Sequence, residues 1–191
     1  MSTKHRIETG VRLPDPNFVH PEIIAPETKA GKAFRYVAAA LRLSLGWIFL
    51  WAFVDKLFGL GFATPKEGAW LNGGSPTKGF LANAATGPFT GMYHSIAGAT
   101  WADWLFMVGL AGIGLALMLG IGMRIAAASG ALMLVMMWSV ALPPENNPFM
   151  DDHLVYAMVL VALALVGAGR TVGLGAAWER LPFVQRHAWL K

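Results

Sequence analysis

The chain has 191 residues, 55% of them hydrophobic and only 14% charged, and its mean hydropathy is +0.50. The absence of cysteine excludes a thiol nucleophile, a disulfide and a cysteine-bound iron–sulfur cluster, so redox chemistry would need a bound cofactor, a diffusible carrier or a partner protein. The net charge of +4 does not point to nucleic acid, because the basic residues flank apolar runs and form no stripe interleaved with exposed aromatics.

The opening stretch is polar, holds Pro14, Pro16, Pro21 and Pro26, and has no sustained period. It is expected to be a mostly extended cytoplasmic arm over 1–34. It does not read as a signal peptide, since the first apolar run begins too late and has no cleavage pattern behind it. Four apolar runs follow, at about 37–60, 104–122, 125–142 and 153–169. Each approaches the ~20 residues that cross ~30 Å of hydrocarbon, the fourth being the shortest. In lipid the backbone must satisfy its polar groups within the segment, which requires helices. The expected fold class is therefore all-α: an integral membrane four-helix bundle over 35–175, with a long structured outer loop between helices 1 and 2 and a cytoplasmic tail over 176–191.

Orientation follows from lysine and arginine placement. Lys4, Arg6, Arg12, Lys29, Lys32, Arg35, Arg124, Arg170, Arg180, Arg186 and Lys191 fall on one side of the runs, and only Lys56, Lys66 and Lys78 on the other. The more basic side, with both termini and the turn near Met123 and Arg124, is expected in the cytoplasm. Gly112, Ala116 and Gly120 on the second run, and Ala127 and Ala131 on the third, recur every four residues and predict close helix approach.

The loop over 61–103 is long, and long loops tend to be functional or interfacial. Thr64-Pro65-Lys66-Glu67 reads as an N-cap, a first-position proline and a capping-box glutamate. Ser75-Pro76 marks a second helix start. Both are expected to give short helices over the outer end of the bundle, at the level of a tryptophan belt of Trp51, Trp70, Trp101, Trp104 and Trp138.

Candidate chemistry gathers in two places. On the first helix Arg42, Gly46, Phe49, Phe53 and Lys56 are spaced to share one face. Arg42 is the only charge inside the apolar runs short of their ends, and no carboxylate in the later runs can pair with it. An arginine in hydrocarbon is a candidate site for an anion or a quinone carbonyl, against the alternative that it snorkels to lipid phosphate. At the outer end Asp55 and Lys56 close the first run, and Asp151-Asp152-His153 open the fourth, with Tyr156 one turn on. His94 and Asp103 belong to the long loop. The blander readings are a solvated Asp55–Lys56 pair, an N-cap at Asp151 or Asp152 and a hydrogen-bonded His153. No run holds a histidine at its middle for haem ligation, and no ligand spacing supports a metal site.

These residues resemble a family. Arg42-x-x-x-Gly46-x-x-Phe49-Leu50 closing with Asp55-Lys56-Leu57-Phe58-Gly59, the stretch Gly73-Gly74-Ser75-Pro76-Thr77-x-Gly79-Phe80-Leu81, and Asn146-Asn147-Pro148-Phe149-Met150-Asp151-Asp152-His153 before Tyr156-Ala157 are similar to the DoxX/DoxD family of small four-helix membrane proteins. The resemblance covers about 35–175. It implies a bacterial plasma-membrane subunit of a thiosulfate:quinone oxidoreductase, which oxidises thiosulfate to tetrathionate outside the membrane and passes electrons to quinone together with a second subunit. Fold-level likeness does not fix a substrate. On this reading Arg42, Lys56, Asp55, His153 and Asp152 are the catalytic candidates. Arg42, Trp47, Trp51 and Tyr156 are the quinone-binding ones. The expected partners are the lipid bilayer, quinone and a second protein subunit or redox complex. The alternative is a non-catalytic membrane subunit that docks other redox proteins through its outer loop or basic arm.

Overall fold

The computed structural model describes residues 28–191, and the proline-rich arm expected before them lies outside the described residues. The described chain is helical without strands, and three of its helices are long and apolar enough to cross a membrane. These are α1 (Lys29–Phe58), α4 (Thr100–Leu119) and α5 (Met123–Val140); the apolar α6 (Asp152–Leu165) is shorter. Between α1 and α4 lie two 3-10 turns, Lys66–Gly68 and Trp70–Asn72, then α2 (Lys78–Asn83) and α3 (Thr90–Ile96). After α6 come a 3-10 turn at Ala168–Arg170, α7 (Gly175–Trp178), α8 (Pro182–Arg186) and a final 3-10 turn at Ala188–Leu190.

Helix α1 starts before the expected boundary at 35. Thr28 adopts an extended backbone and its hydroxyl accepts from Gly31 N at 3.1 Å, an N-cap that satisfies one of the helix's orphan donors. The helix ends where Gly59 turns left-handed (φ 66°) and donates to Asp55 O at 2.8 Å, the conformation glycine adopts without steric penalty.

Helix α1 packs on α4, α4 on α5 and α5 on α6, while α6 and the 3-10 turn after it return to α1. The main core joins Leu45 and Phe49 of α1, Met107, Leu110, Ile113 and Leu117 of α4, Leu134 of α5, and Leu160 and Leu163 of α6. The inward face read from the first helix is the buried one: Arg42, Gly46 and Phe49 are buried, and Phe53 and Lys56 half-buried.

Of the expected small-residue stripe on α4, Ala116 packs against the main core and Gly120 is buried against Gly169, as Ala127 and Ala131 pack into the core from α5, but Gly112 is not at a contact. Gly112 is exposed, and a Cβ there would meet nothing within 4 Å. Close approach occurs one face around. A Cβ on Gly114 would stand 2.9 Å from Leu50 N, and one on Gly46 would stand 3.1 Å from Leu117 Cβ, so each helix offers a glycine to the other's leucine. Gly130 serves likewise for Leu160 of α6.

The α4–α5 turn also falls earlier than expected. Gly120 (φ 74°) and Gly122 (φ 56°) form it, and Met123 and Arg124 already belong to the first turn of α5. Nor does the C-terminal stretch hang free as a tail. Arg124 N donates to Lys191 O at 3.0 Å, Trp178 Nε1 donates to Leu190 O at 2.6 Å, and Val184 is fully buried. Residues 175–191 thus fold back as a cap over the start of α5.

The outer loop lies across the opposite end. Trp70 packs against the main core, and Phe80, Leu81, Ala85, Tyr93 and Ile96 form a second small core with Val140 at the end of α5. Thr64 makes no cap: the turn at Lys66–Gly68 has no side-chain capping bond, and Pro65 occupies the cap position. Ser75-Pro76 does lead into a helix: Thr77 holds the cap position of α2, and the Ser75 hydroxyl accepts from Lys78 N at 3.2 Å. No sequence signal announced α3.

Candidate functional site

Arg42 does not snorkel. It is fully buried at the end of the molecule where α4 stops and the post-α6 segment crosses over it. Its Nη1 donates to Leu117 O and, at 3.1 Å, to Met118 O. Its Nη2 donates to Val172 O at 2.6 Å and Thr171 O at 3.3 Å. A helix leaves its last four carbonyls without intrahelical partners. On α4, Ala116 O receives Gly120 N and Ile121 N, Leu119 O receives Leu174 N, and Arg42 takes the two between. A cation at a helix C-terminus is also favoured by the macrodipole. The planar fork of arginine suits two carbonyl pairs on opposite sides. Val172 reaches this position at φ 51°, unusual for a β-branched residue, and its backbone presents its carbonyl to Nη2.

This occupancy separates Arg42 from the other expected site residues. Lys56 and Asp55 lie more than three turns further along α1, about 20 Å away at 1.5 Å per residue. The expected cluster is therefore two places, one at each end of the helix packing.

At the outer end most carboxylates are engaged with the backbone. Asp55 is 1% exposed and accepts from Phe62 N at 3.3 Å and Ala63 N at 3.1 Å. It is a loop clamp, not the solvated partner of Lys56, which stands half-buried beside it. Asp103, also buried, accepts on Oδ1 from Ser75 Oγ at 2.8 Å, Thr77 Oγ1 at 2.6 Å and Thr77 N at 3.1 Å. Sequence reading placed Asp103 in the loop without this role. The signal was available, since Ser75-x-Thr77 supplies two hydroxyls at alternate positions in a chain with few buried acids.

Asp151 caps α6: Oδ1 accepts from Leu154 N at 3.2 Å, and Oδ2 lies 2.7 Å from His153 Nδ1. Asp152 is exposed, with Oδ1 3.5 Å from the same nitrogen. The ligand atoms of these three residues fall within 4.8 Å of one another, though Asp151 already has two partners. We expect Asp151→Ala to destabilise the protein by about 1 kcal/mol through the lost cap. Asp152→Asn should stay within about 0.5 kcal/mol of the unmodified chain, as an exposed change. Thermal unfolding of both variants in the same detergent checks the ordering.

The quinone-binding candidates do not converge. Trp47 is 57% exposed and stacks obliquely on Trp51 at 5.6 Å, and Trp51 meets the edge of Phe62 at 5.1 Å. Tyr156 packs instead on the main core. The sizeable cleft, about 610 Å³, lies at the other end, between the start of α5, the end of α6 and the C-terminal cap, and none of the expected site residues lines it. It is bordered by Arg170, which makes a bidentate pair with Glu179 at 2.7–3.0 Å. That hydrogen bonding raises the Arg170 guanidinium above its ordinary value, against the opposing effect of burial.

Comparison with family models, curated proteins and solved structures finds no match to this chain.

Proposed function

We propose that this chain is a four-span plasma-membrane protein, with both termini in the cytoplasm, that serves as the non-catalytic subunit of a quinone-linked redox complex. The observation that carries the reading is the engagement of its buried charges. Arg42 is held by four backbone carbonyls, Asp55 by two loop N–H groups, and Asp103 by Ser75 and Thr77. Groups so committed position backbone and leave little to bind a substrate. Three apolar helices support insertion. The short α6 would complete a fourth crossing by local thinning of the bilayer. The asymmetry of lysine and arginine supports the orientation. The motifs that resemble those of DoxX/DoxD proteins support the quinone-linked setting, and the folded outer loop offers the docking surface.

A catalytic reading keeps one observation in its favour. His153 is partly exposed, hydrogen-bonded to Asp151 and one turn from Tyr156, with the half-buried Lys56 also at the outer end. There two thiosulfates would give up two electrons to form tetrathionate, and quinone would take those electrons with two protons. One preparation tests both readings. The chain is purified from its native membranes, quinone and co-purifying proteins are identified, and thiosulfate-dependent quinone reduction is measured with and without those proteins. The accessory reading expects turnover only with the partner. Turnover by the chain alone would overturn it in favour of catalysis, and the absence of both quinone and a redox partner would overturn both. Reporter fusions at Lys191 and near Lys78 should register cytoplasmic and external respectively.

A further inference from the structure

We propose that the cleft between α5, α6 and the C-terminal cap binds the headgroup of an anionic phospholipid from the cytoplasmic leaflet, with an acyl chain lying between α5 and α6. The proposal rests on the membrane orientation above, which puts this end of the molecule at the inner surface.

Among side chains, the polar part of the cleft carries Arg124, Arg170 and Lys191 against one acidic residue, Glu179. None of the three cations is fully used by the protein. Arg124 gives Nη1 to Ala188 O at 2.8 Å, and Arg170 gives Nε and Nη2 to Glu179. Arg124 Nη2, Arg170 Nη1 and the Lys191 ammonium have no acceptor among the described residues. Guanidinium groups with donors to spare, bordering one space, suit a phosphate. The wall near them includes Gly122, where a Cβ would meet nothing within 4 Å, which leaves room for a headgroup. The cleft's volume, about 610 Å³, falls in the range of small-molecule sites.

The rest of the lining is apolar and continues outward. Ala127, Ala128 and Ala164 make a shallow floor, and Val161 and Leu165, 44% and 65% exposed, extend it onto the lipid-facing surface. A soluble anion would use only the charged end. A molecule with a phosphate at one end and a hydrocarbon chain at the other uses both, and that is an anionic phospholipid. Basic pockets between helices on the cytoplasmic side recognise such headgroups. In sequence these cations had registered only as topology charges.

The test uses the full chain in a neutral detergent, after a carbonate wash has established that it stays with the membrane. Loss of the chain in the wash would overturn the membrane reading itself, apart from the lipid one. Thermal unfolding is then followed with added phosphatidylglycerol, phosphatidylcholine or inorganic phosphate, and bound lipid is counted by native mass spectrometry. Phosphatidylglycerol alone should raise the midpoint and remain bound. Arg124→Gln with Lys191→Gln should weaken that binding by about thirtyfold, the effect of two basic residues facing an anionic lipid. Because Arg124 also holds Ala188, Ala128→Trp is the second variant: it leaves every charge in place, fills the acyl groove from an exposed position, and should also abolish the shift. Equal shifts with phosphatidylcholine, an equal shift with inorganic phosphate, or retention of the shift in Ala128→Trp would each overturn the proposal.

Discussion

Arg42→Lys is expected to lower stability by about 2–4 kcal/mol while leaving membrane insertion and topology unchanged. The guanidinium reaches two carbonyl pairs from two nitrogens, Leu117 and Met118 from Nη1 and Thr171 and Val172 from Nη2. A lysine ammonium has its donors on one nitrogen and serves one side or the other, so two carbonyls lose their partner. Hydrogen bonds to a charged group contribute roughly 1.5–3 kcal/mol each in soluble proteins. Interhelical ones in membranes average nearer 0.6 kcal/mol, and a fully buried site sits towards the upper figure. Lysine also avoids one existing cost, because Arg42 Nε is buried without a partner among the described residues. Arg42→Met, which keeps the stem and removes every donor, should be worse than lysine. Unfolding in mixed micelles measures both, and the functional reading adds a second readout. Wild-type stability in Arg42→Lys with selective loss of bound quinone would return Arg42 to the role of a ligand-binding residue.

The contrast between Arg42 and its helix shows what sequence can carry. The long apolar helices are legible because length and composition belong to the side chains themselves. The inward face of α1 is legible because helical spacing imposes a period. What satisfies Arg42 is not legible, because its partners are carbonyls, which every residue has, and they lie 75–76 and 129–130 positions away. Gly112, the first residue of the expected stripe on α4, misled for a related reason. Small residues permit close approach on any face, and the face used was settled by the reciprocal fit of Gly114 to Leu50 and Gly46 to Leu117. At the outer end Asp55, Lys56 and Asp151–His153 were legible as a polar cluster. Which carboxylates were already engaged depended on loop backbone, whose path leaves no periodic trace. The C-terminal cap was missed because its ties run from main-chain carbonyls at Ala188, Leu190 and Lys191 to Arg124 and Trp178.

Asp103→Ala is expected to release the first half of the outer loop while the helices beneath it stay assembled. One oxygen of Asp103 accepts from Ser75 Oγ, Thr77 Oγ1 and Thr77 N, and Ser75 Oγ in turn accepts from Lys78 N at the start of α2. The carboxylate sits in the first turn of α4, where the helix macrodipole favours a negative charge. It thus ties the loop's middle to α4 and to the start of α2. Alanine leaves the buried Thr77 N–H without an acceptor, a loss of about 1–3 kcal/mol before the two hydroxyl bonds are counted. The loop's other anchor survives the change, since Tyr93 keeps its bond to Ser139 and its place beside Val140. The loss is therefore local: residues around 64–83 should become open to protease, while the thermal midpoint of the bundle falls only slightly. Trp70 rides on that segment with its ring 4.7 Å from Trp104, so its emission should shift towards that of solvated indole. Asp103→Asn retains an oxygen at the same place and should protect the loop nearly as well. If the loop is the docking surface, Asp103→Ala should lose its redox partner on purification and Asp103→Asn should keep it. Equal protease resistance in all three proteins would show that Asp103 does not hold the loop. A freed loop that still retains the partner would move the docking surface elsewhere.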